Sequence, residues 1–291
     1  RQKIRALIVL CDFHPIDSLL IQKAKNAGIL TATLQHGFYG YESGGFEKSH
    51  SDYFLAVGQA TIDNTGRFYD KDKYVKTGLS QLIGVPIPEH MVKHSFHIFL
   101  IIMSGRVEEE VACLIETEKF INKNNHSGQD YSIQASAQQH SRQQPKYKRI
   151  IKLHPGIGAD KYPYKWLPSD TIIADEKNIY QLMNEADFAV VPSGSTVFTE
   201  YMVMLFPAFL FEKDKDNKIY FNLLKNREYF QFTDAEELET LVDKIDTAPA
   251  ELEQQMKFAR EYFSEIDDID SKHREFLKFF IEKAYHTYHD E

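Results

Sequence analysis

Short apolar runs of strand length alternate with helix-like stretches along almost the whole chain, and no other feature restricts the fold as strongly. The first two runs are Ala6–Leu10 and Leu30–Leu34, and between them Ile16–Asn26 carries apolar residues at helical spacing. Strands that alternate with helices in this way build parallel sheets with helices on both faces. The sequence therefore predicts an α/β fold made of doubly wound, Rossmann-like units.

The alternation is interrupted near Gly84–Pro88, where a glycine and two prolines mark a linker. It restarts with the strand-like run Phe96–Met103 and continues through the second half of the chain. We therefore predict one Rossmann-like domain over residues 1–88 and a second over residues 89–270. Residues 271–291 are predicted to form a terminal helix that packs back toward the first domain.

Composition excludes several classes of protein. The formal net charge of −9 argues against a general nucleic-acid binder. Cys11 and Cys113 show neither a disulfide framework nor the spacing of metal ligands, so we expect a reducing, cytoplasmic environment. No apolar run approaches the roughly 20 residues that a membrane-spanning helix needs.

The segment Ile150–Pro155 (I-I-K-L-H-P) is the first candidate binding element. Pro155 ends the predicted strand because proline cannot donate a hydrogen bond to a sheet. The imidazole of His154 can then donate a hydrogen bond to a phosphate oxygen or carry a positive charge. Lys152, two residues earlier, projects from the same face of the strand. A turn histidine that binds no ligand is the alternative interpretation.

A second cluster follows the strand-like run Phe188–Val191 and begins 38 residues after Pro155. Its glycine permits close backbone approach, and its second serine or its threonine can cap the next helix, whose free N–H groups favour an anion. Helix capping alone is the alternative explanation. Since loops at the carboxyl ends of parallel strands converge on one crevice, we predict that His154 and this cluster bind one phosphate group. The cluster is Ser193-Gly194-Ser195-Thr196.

Two glutamates are candidates for binding a ribose. Glu200 lies one turn into the helix predicted after the serine cluster, where it either accepts hydrogen bonds from ribose hydroxyls or is simply solvated. Glu176 follows the predicted strand Thr171–Ala174 and reaches the same crevice. Because acidic residues also favour the first turn of a helix on dipole grounds, a structural role for Glu176 is the alternative.

His36 and Asp12 are the candidates for a general base. His36 stands in the triplet Gln35-His36-Gly37 after a predicted strand, and its pKa near neutrality suits deprotonation of an acceptor hydroxyl. A hydrogen-bonded turn histidine is the alternative. Asp12 follows the first predicted strand and either acts as the base itself or orients His36.

Other catalytic motifs are missing from the sequence. It contains no G-x-S-x-G, no G-x-x-x-x-G-K-[ST] and no G-x-G-x-x-G, so hydrolase, P-loop and dehydrogenase functions have no support. A D-x-D pattern formed by Asp214 and Asp216 follows a predicted strand. A metal-assisted sugar-nucleotide site there is a lesser alternative.

These motifs together resemble those of bacterial surface-polysaccharide transferases of the GT-B fold. The most similar groups are capsule polymerases, polysialyltransferase-like and other bacterial sialyltransferases, and teichoic-acid glycerophosphotransferases. The stretch S-D-Y-F-L-A-V-G-Q-A-T, followed by Y-V-K-T-G, is also similar to the end of the first domain in such enzymes. The resemblance depends on Q-H-G at 35–37, K-L-H-P at 152–155, and P-S-G-S-T at 192–196 with Glu200 after it.

The resemblance implies a metal-independent glycosyltransferase without a cofactor. Its first domain would bind the acceptor and its second the nucleotide donor, and His36 or Asp12 would act as the base. The implied partners are a CMP- or UDP-sugar and a growing glycan of a capsule or lipooligosaccharide, with no nucleic acid. Donor phosphates would be held by His154, Ser193, Ser195 and Thr196.

The sequence departs from this family in two respects and leaves two other functions open. About 90 residues precede the linker, so we expect the N-terminal domain to be partial, and the acidic motif of polysialyltransferases is not evident. A phosphotransferase that uses a CDP-polyol, such as CDP-glycerol or CDP-ribitol, needs the same phosphate site. A non-catalytic module that binds a nucleotide sugar or glycan is the other alternative. Phe276, Phe279 and Phe280 suggest packing of the terminal helix or, alternatively, peripheral contact with the inner face of the cell membrane.

Overall fold

The computed structural model describes about two thirds of the chain. Asp12, His36, Pro155, Ser193 and Gly194 lie outside the described residues, as do both aspartates of the D-x-D pattern. The described residues are 4–10, 14–35, 37, 51–66, 70–91, 98–102, 107–126, 146–154, 171–174, 176–192, 195–213, 227–264 and 267–286.

The first sheet contains four parallel strands in chain order, β1-β2-β3-β4. Small and β-branched residues fill its centre, and Thr31, Ala32 and Thr33 are all buried. The two threonine hydroxyls are paired with Asp52 and Ser51 at the start of the next strand. The strands are β1 (Ala6–Val9), β2 (Leu30–Leu34), β3 (Tyr53–Ala56) and β4 (Tyr74–Lys76), with helices α1 (Pro15–Asn26) and α2 (Gln59–Thr65) between them.

The second sheet contains six parallel strands in the order β10-β9-β8-β5-β6-β7. Its first strand, β5, has β6 on one side and β8 on the other. The strand order therefore reverses beside β5, and ligands of such sheets bind at the carboxyl ends next to that reversal. The strands are β5 (Ile98–Ile102), β6 (Lys148–Lys152), β7 (Ile172–Ile173), β8 (Phe188–Pro192), β9 (Ala208–Phe211) and β10 (Gln231–Phe232).

Apolar cores cover both faces of the second sheet. Val190 and Val191 are adjacent on β8, point to opposite faces and are both fully buried. Val191 packs in one core with Met256 and Phe263, and Val190 packs in the other with Phe120. This burial on both faces explains the continuous apolar runs of the sequence. The helices are α3 (Val107–His126), α4 (Ile179–Met183), α5 (Val197–Val203), α6 (Ala235–Thr247), α7 (Pro249–Phe263) and α8 (Ile269–His286).

The last helix, α8, packs on the first sheet although it follows the second in sequence. Phe276 and Phe280 are buried against Ala32 and Leu55, and their rings stack with centroids 5.3 Å apart. Tyr53 contacts the same aromatic group edge-on. None of the helices within the described ranges is both long and apolar enough to cross a bilayer.

Two elements of the structure were not predicted from the sequence. Helix α2 contains polar residues at most positions, so it lacks the apolar periodicity that marks an amphipathic helix. Strand β10 has only two residues, which is too short to give an alternating pattern. The domain boundaries at residues 88 and 270 stay predictions.

Candidate active site

A cleft lies where the carboxyl end of the first sheet meets the start of helix α5. It is narrow, with an open volume of about 20 Å³, roughly the room that one water molecule needs. Residues from both halves of the molecule line it, and several of them are polar. The first sheet contributes Gln35, Gly37, Val57, Thr61, Leu79 and Gln81, and the second contributes Thr196, Thr199, Glu200 and Phe263.

Gln35 fixes the loop ends on the first-sheet side of the cleft. Its side chain is buried, and its Oε1 accepts a hydrogen bond of 2.7 Å from the backbone N–H of Val57 after β3. Its Nε2 donates one of 2.6 Å to the carbonyl oxygen of Gly37. Because one amide group bonds to both segments, Gln35 ties the chain after β2 to the chain after β3.

Two glycines allow the two halves of the molecule to approach closely. A β-carbon added at Gly37 would lie 3.1 Å from Cγ2 of Thr196. One added at Gly58, the residue before α2, would lie only 2.5 Å from the carbonyl oxygen of Phe263 at the end of α7. Glycine is therefore needed at position 58 for backbone to pass against backbone.

Helix α5 begins at the cleft without the side-chain cap that the sequence suggests for Thr196. This residue has helical backbone angles, φ −69° and ψ −20°, whereas capping side chains normally extend from a β-region residue. Instead, the Thr196 carbonyl oxygen accepts a hydrogen bond of 2.7 Å from the Thr199 hydroxyl. Ser195 is buried just before the helix. The capping interpretation of Thr196 is therefore wrong.

Glu200 places a carboxyl group in the cleft. Burial raises its pKa, and a hydrogen bond from Tyr180 lowers it in part. In that bond the Tyr180 hydroxyl donates to Oε2 over 2.6 Å, and burial together with the nearby carboxylate raises the pKa of Tyr180. A carboxylate at the rim of a partly buried cleft is well suited to accept hydrogen bonds from neutral hydroxyl groups.

The structure places the other predicted residues on the same edge of the second sheet. His154 is exposed two residues after β6, Glu176 is exposed three residues after β7, and Lys152 is half-buried at the end of β6. Strand β5 separates β6 from β8, which leads to Ser195, so the two strand ends are about 10 Å apart at the usual strand spacing. The cleft as described is lined by Thr196 and Glu200 but not by His154, Lys152 or Glu176. That His154 and the serine cluster grip one phosphate stays a prediction.

Sequence reasoning missed four residues that shape the site: Gln35, Gln81, Thr199 and Tyr180. The only available signals were that Gln35 adjoins His36 and that Thr199 lies one helical turn after Thr196. Tyr180 gave no signal, because its partner Glu200 is 20 residues away and on another helix.

A larger cavity, of about 330 Å³, lies along β10 beneath α6, but its chemistry does not suit a phosphorylated ligand. Three of its described lining residues are glutamates, at positions 212, 228 and 237. The one lysine, Lys244, donates to the carbonyl oxygen of Glu228 and lies over the Tyr229 ring. We therefore assign the candidate site to the cleft between the sheets.

Comparison with known proteins gives matches in structure alone. No protein-family model and no curated protein sequence matches the chain. The S. aureus MnaA–UDP structure matches with a TM-score of 0.61 at 10% identity, over 95% of this chain and 75% of that one. The wall teichoic acid polymerase TagF matches at 0.54 and 10%, over 89% and 68%. The spinosyn rhamnosyltransferase SpnG matches at 0.53 and 12%, also over 89% and 68%.

The fold is GT-B-like. Two parallel sheets with a cleft between their carboxyl ends, together with these structural neighbours, confirm the predicted fold class. The resemblance to bacterial GT-B transferases is thereby confirmed at the level of the fold.

Proposed function

We propose that this chain is a glycosyltransferase that moves a sugar from a CMP- or UDP-sugar to a bacterial surface glycan. One observation carries the proposal: Gly37 of the first sheet and Thr196 and Glu200 of the second line the same cleft. A transferase must hold donor and acceptor face to face, and a cleft between two sheets provides two such faces.

The structural neighbours support transfer of glycosyl or related groups. TagF is a wall teichoic acid polymerase, SpnG is a rhamnosyltransferase, and MnaA was solved with UDP. All three share the fold of this chain at about 10% identity, and two of them, TagF and SpnG, are named for transfer reactions, which supports the proposed reaction class. The donor and acceptor in the proposal follow from the family resemblance of the motifs.

In this proposal the second sheet holds the nucleotide donor. Glu200 accepts hydrogen bonds from the ribose, with Glu176 as a second acidic contact. Positive charge and hydroxyl groups at the carboxyl edge then offset the negative charge that builds on the departing phosphate, which lowers the barrier electrostatically. The phosphate-binding set is Lys152, His154, Pro155, Ser193, Gly194, Ser195 and Thr196.

The first sheet supplies the acceptor side and the base. His36 or Asp12 would remove the proton of the acceptor hydroxyl as it attacks the sugar. Gln35 would hold the main chain next to His36, since its amide is hydrogen-bonded to Gly37 in the same loop and to Val57 after β3. We propose that neither a metal ion nor a cofactor takes part.

A phosphotransferase acting on a CDP-polyol is the second candidate, favoured by the match to TagF. It would use the same phosphate site but would break the bond between the two phosphates of the donor. Incubation with labelled CDP-glycerol, CMP-sugar and UDP-sugar separates the two reactions, because only one class of donor would be consumed.

The test of nucleotide binding is a thermal-shift screen against CMP, CDP, UDP and GDP. A ligand that binds only the folded state stabilises it by about 2.7 kcal/mol at a hundred times its Kd, so one of these should raise the Tm. His154→Ala should reduce that rise, and Glu239→Gln, on the distant surface of α6, should not. The proposal is overturned if no nucleotide raises the Tm. If a nucleotide binds but the full-length protein consumes no donor, the non-catalytic binding module replaces it.

We also propose a cytoplasmic location with peripheral membrane contact through α8, where Phe279 and Ile281 are 44% and 51% exposed. Flotation with anionic liposomes should carry the protein upward, and Phe279→Ser should weaken this. Absence of flotation with every lipid mixture would contradict the membrane contact alone.

A further inference from the structure

We propose that Tyr180 is a positioning residue for the donor: its hydroxyl holds the Glu200 carboxylate in the orientation that receives the ribose. Tyr180 lies on α4 and Glu200 on α5, and the hydroxyl donates to Oε2 over 2.6 Å. This inference rests on the proposed function, because it assigns a task to Tyr180 only if a nucleotide occupies the cleft.

In this proposal the two oxygens of the Glu200 carboxylate have different partners. Within the described part of the chain, Tyr180 is the one side chain that hydrogen-bonds to this carboxylate, and it uses Oε2. Glu200 also lines the cleft. With Oε2 tied to the protein, Oε1 is left to face a ligand, and the three rotatable bonds of the glutamate are already restricted before the ligand arrives. Such preorganisation removes an entropic cost from binding.

Tyr180 is itself held firmly, which a positioning role requires. Its ring packs against an apolar cluster that includes Val57 and Leu79 from the first-sheet side and Val203 from α5. It also packs against the main core of the second sheet. The hydroxyl therefore has a fixed location relative to both walls of the cleft.

Ionisation of Glu200 gives the proposal a measurable consequence. A carboxylate accepts hydrogen bonds from two neighbouring hydroxyls better than a protonated carboxyl does. The titratable groups that face it in the described structure are Tyr180 and Tyr201, both neutral near pH 7, and Gln35 and Gln81 are the uncharged amides on the opposite wall. Removing the Tyr180 hydroxyl removes the contact that favours the ionised form, so the pKa of Glu200 should rise further.

The experiment is Tyr180→Phe, which removes one oxygen and keeps the ring. Binding of UDP and of CMP, each beside its 2′,3′-dideoxy analogue, is measured by calorimetry between pH 5 and pH 8. The wild type should prefer the ribonucleotide, and Tyr180→Phe should lose about tenfold in ribonucleotide affinity with little change for the dideoxy analogue. The pH below which ribonucleotide binding is lost, here called the acid limit, should move to a higher value in Tyr180→Phe. KM for the donor should rise more than kcat falls.

Tyr229→Phe is the matched control. The Tyr229 hydroxyl donates to Glu251 in the same kind of bond, away from the cleft, so this variant should keep the affinity, the ribose preference and the acid limit. Glu200→Gln is the second variant: it keeps an acceptor for Tyr180, so it should fold, yet lose the acid limit.

The outcomes separate the two proposals. If the wild type binds neither nucleotide, the proposed function fails and the role of Tyr180 fails with it. If the wild type prefers the ribonucleotide and Tyr180→Phe keeps the full preference and the same acid limit, only the positioning role is overturned. Should Tyr180→Phe be unfolded, an unchanged acid limit in Glu200→Gln would overturn it instead.

Discussion

Gly37 and Thr196 face each other across the cleft, and a β-carbon on Gly37 would lie 3.1 Å from Cγ2 of Thr196. This contact joins the loop after β2 to the first turn of α5. Threonine is branched at its β-carbon and cannot easily turn its methyl group away. The close packing of the two halves at the candidate site therefore depends on the missing β-carbon of Gly37 and on the methyl group of Thr196.

The contact predicts a coupled pair of substitutions. Gly37→Ala should destabilise the protein by about 1 kcal/mol through overpacking, because the added methyl group meets Cγ2 of Thr196. Thr196→Ser removes that Cγ2 and should recover at least half of the loss in the double variant. Urea unfolding of the four proteins measures the coupling as a double-mutant cycle. Strictly additive effects would show that the two residues do not meet.

Glu200→Gln should weaken nucleotide binding without weakening the fold. Burial raises the pKa of Glu200 in the folded state, so the ionised carboxylate costs stability above its unfolded pKa. The favourable contribution of the protonated form is present below the unfolded value of 4.5 and is lost as pH rises through the folded pKa.

The variant carries no charge and can still accept the Tyr180 hydrogen bond. Its Tm at pH 7.5 should therefore equal or exceed that of the wild type, while the Tm increase caused by the nucleotide shrinks. Differential scanning calorimetry with and without UDP or CMP measures both. A marked fall in the ligand-free Tm would contradict this account of Glu200.

The alternation of strands and helices is visible in the sequence because β8 and β9 are buried on both faces. Their residues must be apolar throughout, so Phe188–Val191 and Ala208–Phe211 stand out as uninterrupted runs. Chain order alone then places the serine cluster and His154 at carboxyl ends of strands. The general position of the site could be predicted from the sequence for the same reason.

The detailed shape of the cleft could not be predicted from the sequence. The contacts of Gly37 with Thr196 and of Tyr180 with Glu200 join residues that are distant along the chain or lie on different helices. Neither contact produces a periodic pattern, because each depends on how whole elements pack. The strand order that puts β5 between β6 and β8 is likewise decided by the path of the connections.

Gly58→Ala should weaken the junction between α2 and α7. The new β-carbon would lie 2.5 Å from the Phe263 carbonyl oxygen and 2.7 Å from the Ser264 nitrogen. These are backbone atoms at a helix end and cannot rotate away, so we expect a loss of about 1–3 kcal/mol. Urea unfolding gives the loss, and limited proteolysis should show earlier cleavage. An unchanged unfolding midpoint would contradict the close approach.

Asp52 should make the first sheet sensitive to acid. Burial raises its pKa, but hydrogen bonds from the hydroxyl and N–H of Thr31 and the nearby Lys25 outweigh burial and lower it below 3.8. The resulting stability is present above the unfolded pKa and is lost as pH falls through the folded one. Asp52→Asn should therefore have a lower Tm than the wild type at pH 7, and the gap should close as the pH falls below 3.8 and through the folded pKa. A gap that stays constant from pH 7 to pH 2.5 would mean that ionisation of Asp52 is not involved.

Two ion pairs of the second sheet should differ widely in their contribution to stability. Arg149 and Glu118 are 5% and 13% exposed, with Nε and Oε1 2.7 Å apart. Removing the negative charge with Glu118→Gln leaves a buried guanidinium without its carboxylate, which costs about 3 kcal/mol.

The exposed pair Lys123–Glu239 is the matched control, because both pairs join α3 to a neighbouring element. Lys123 is 57% exposed, so solvent screens this pair and Glu239→Gln should cost far less stability than Glu118→Gln. Urea unfolding of both variants at low and high salt gives the comparison. Salt should weaken only the exposed pair. Equal losses of stability in the two variants would mean that burial does not set the strength of the Arg149 pair.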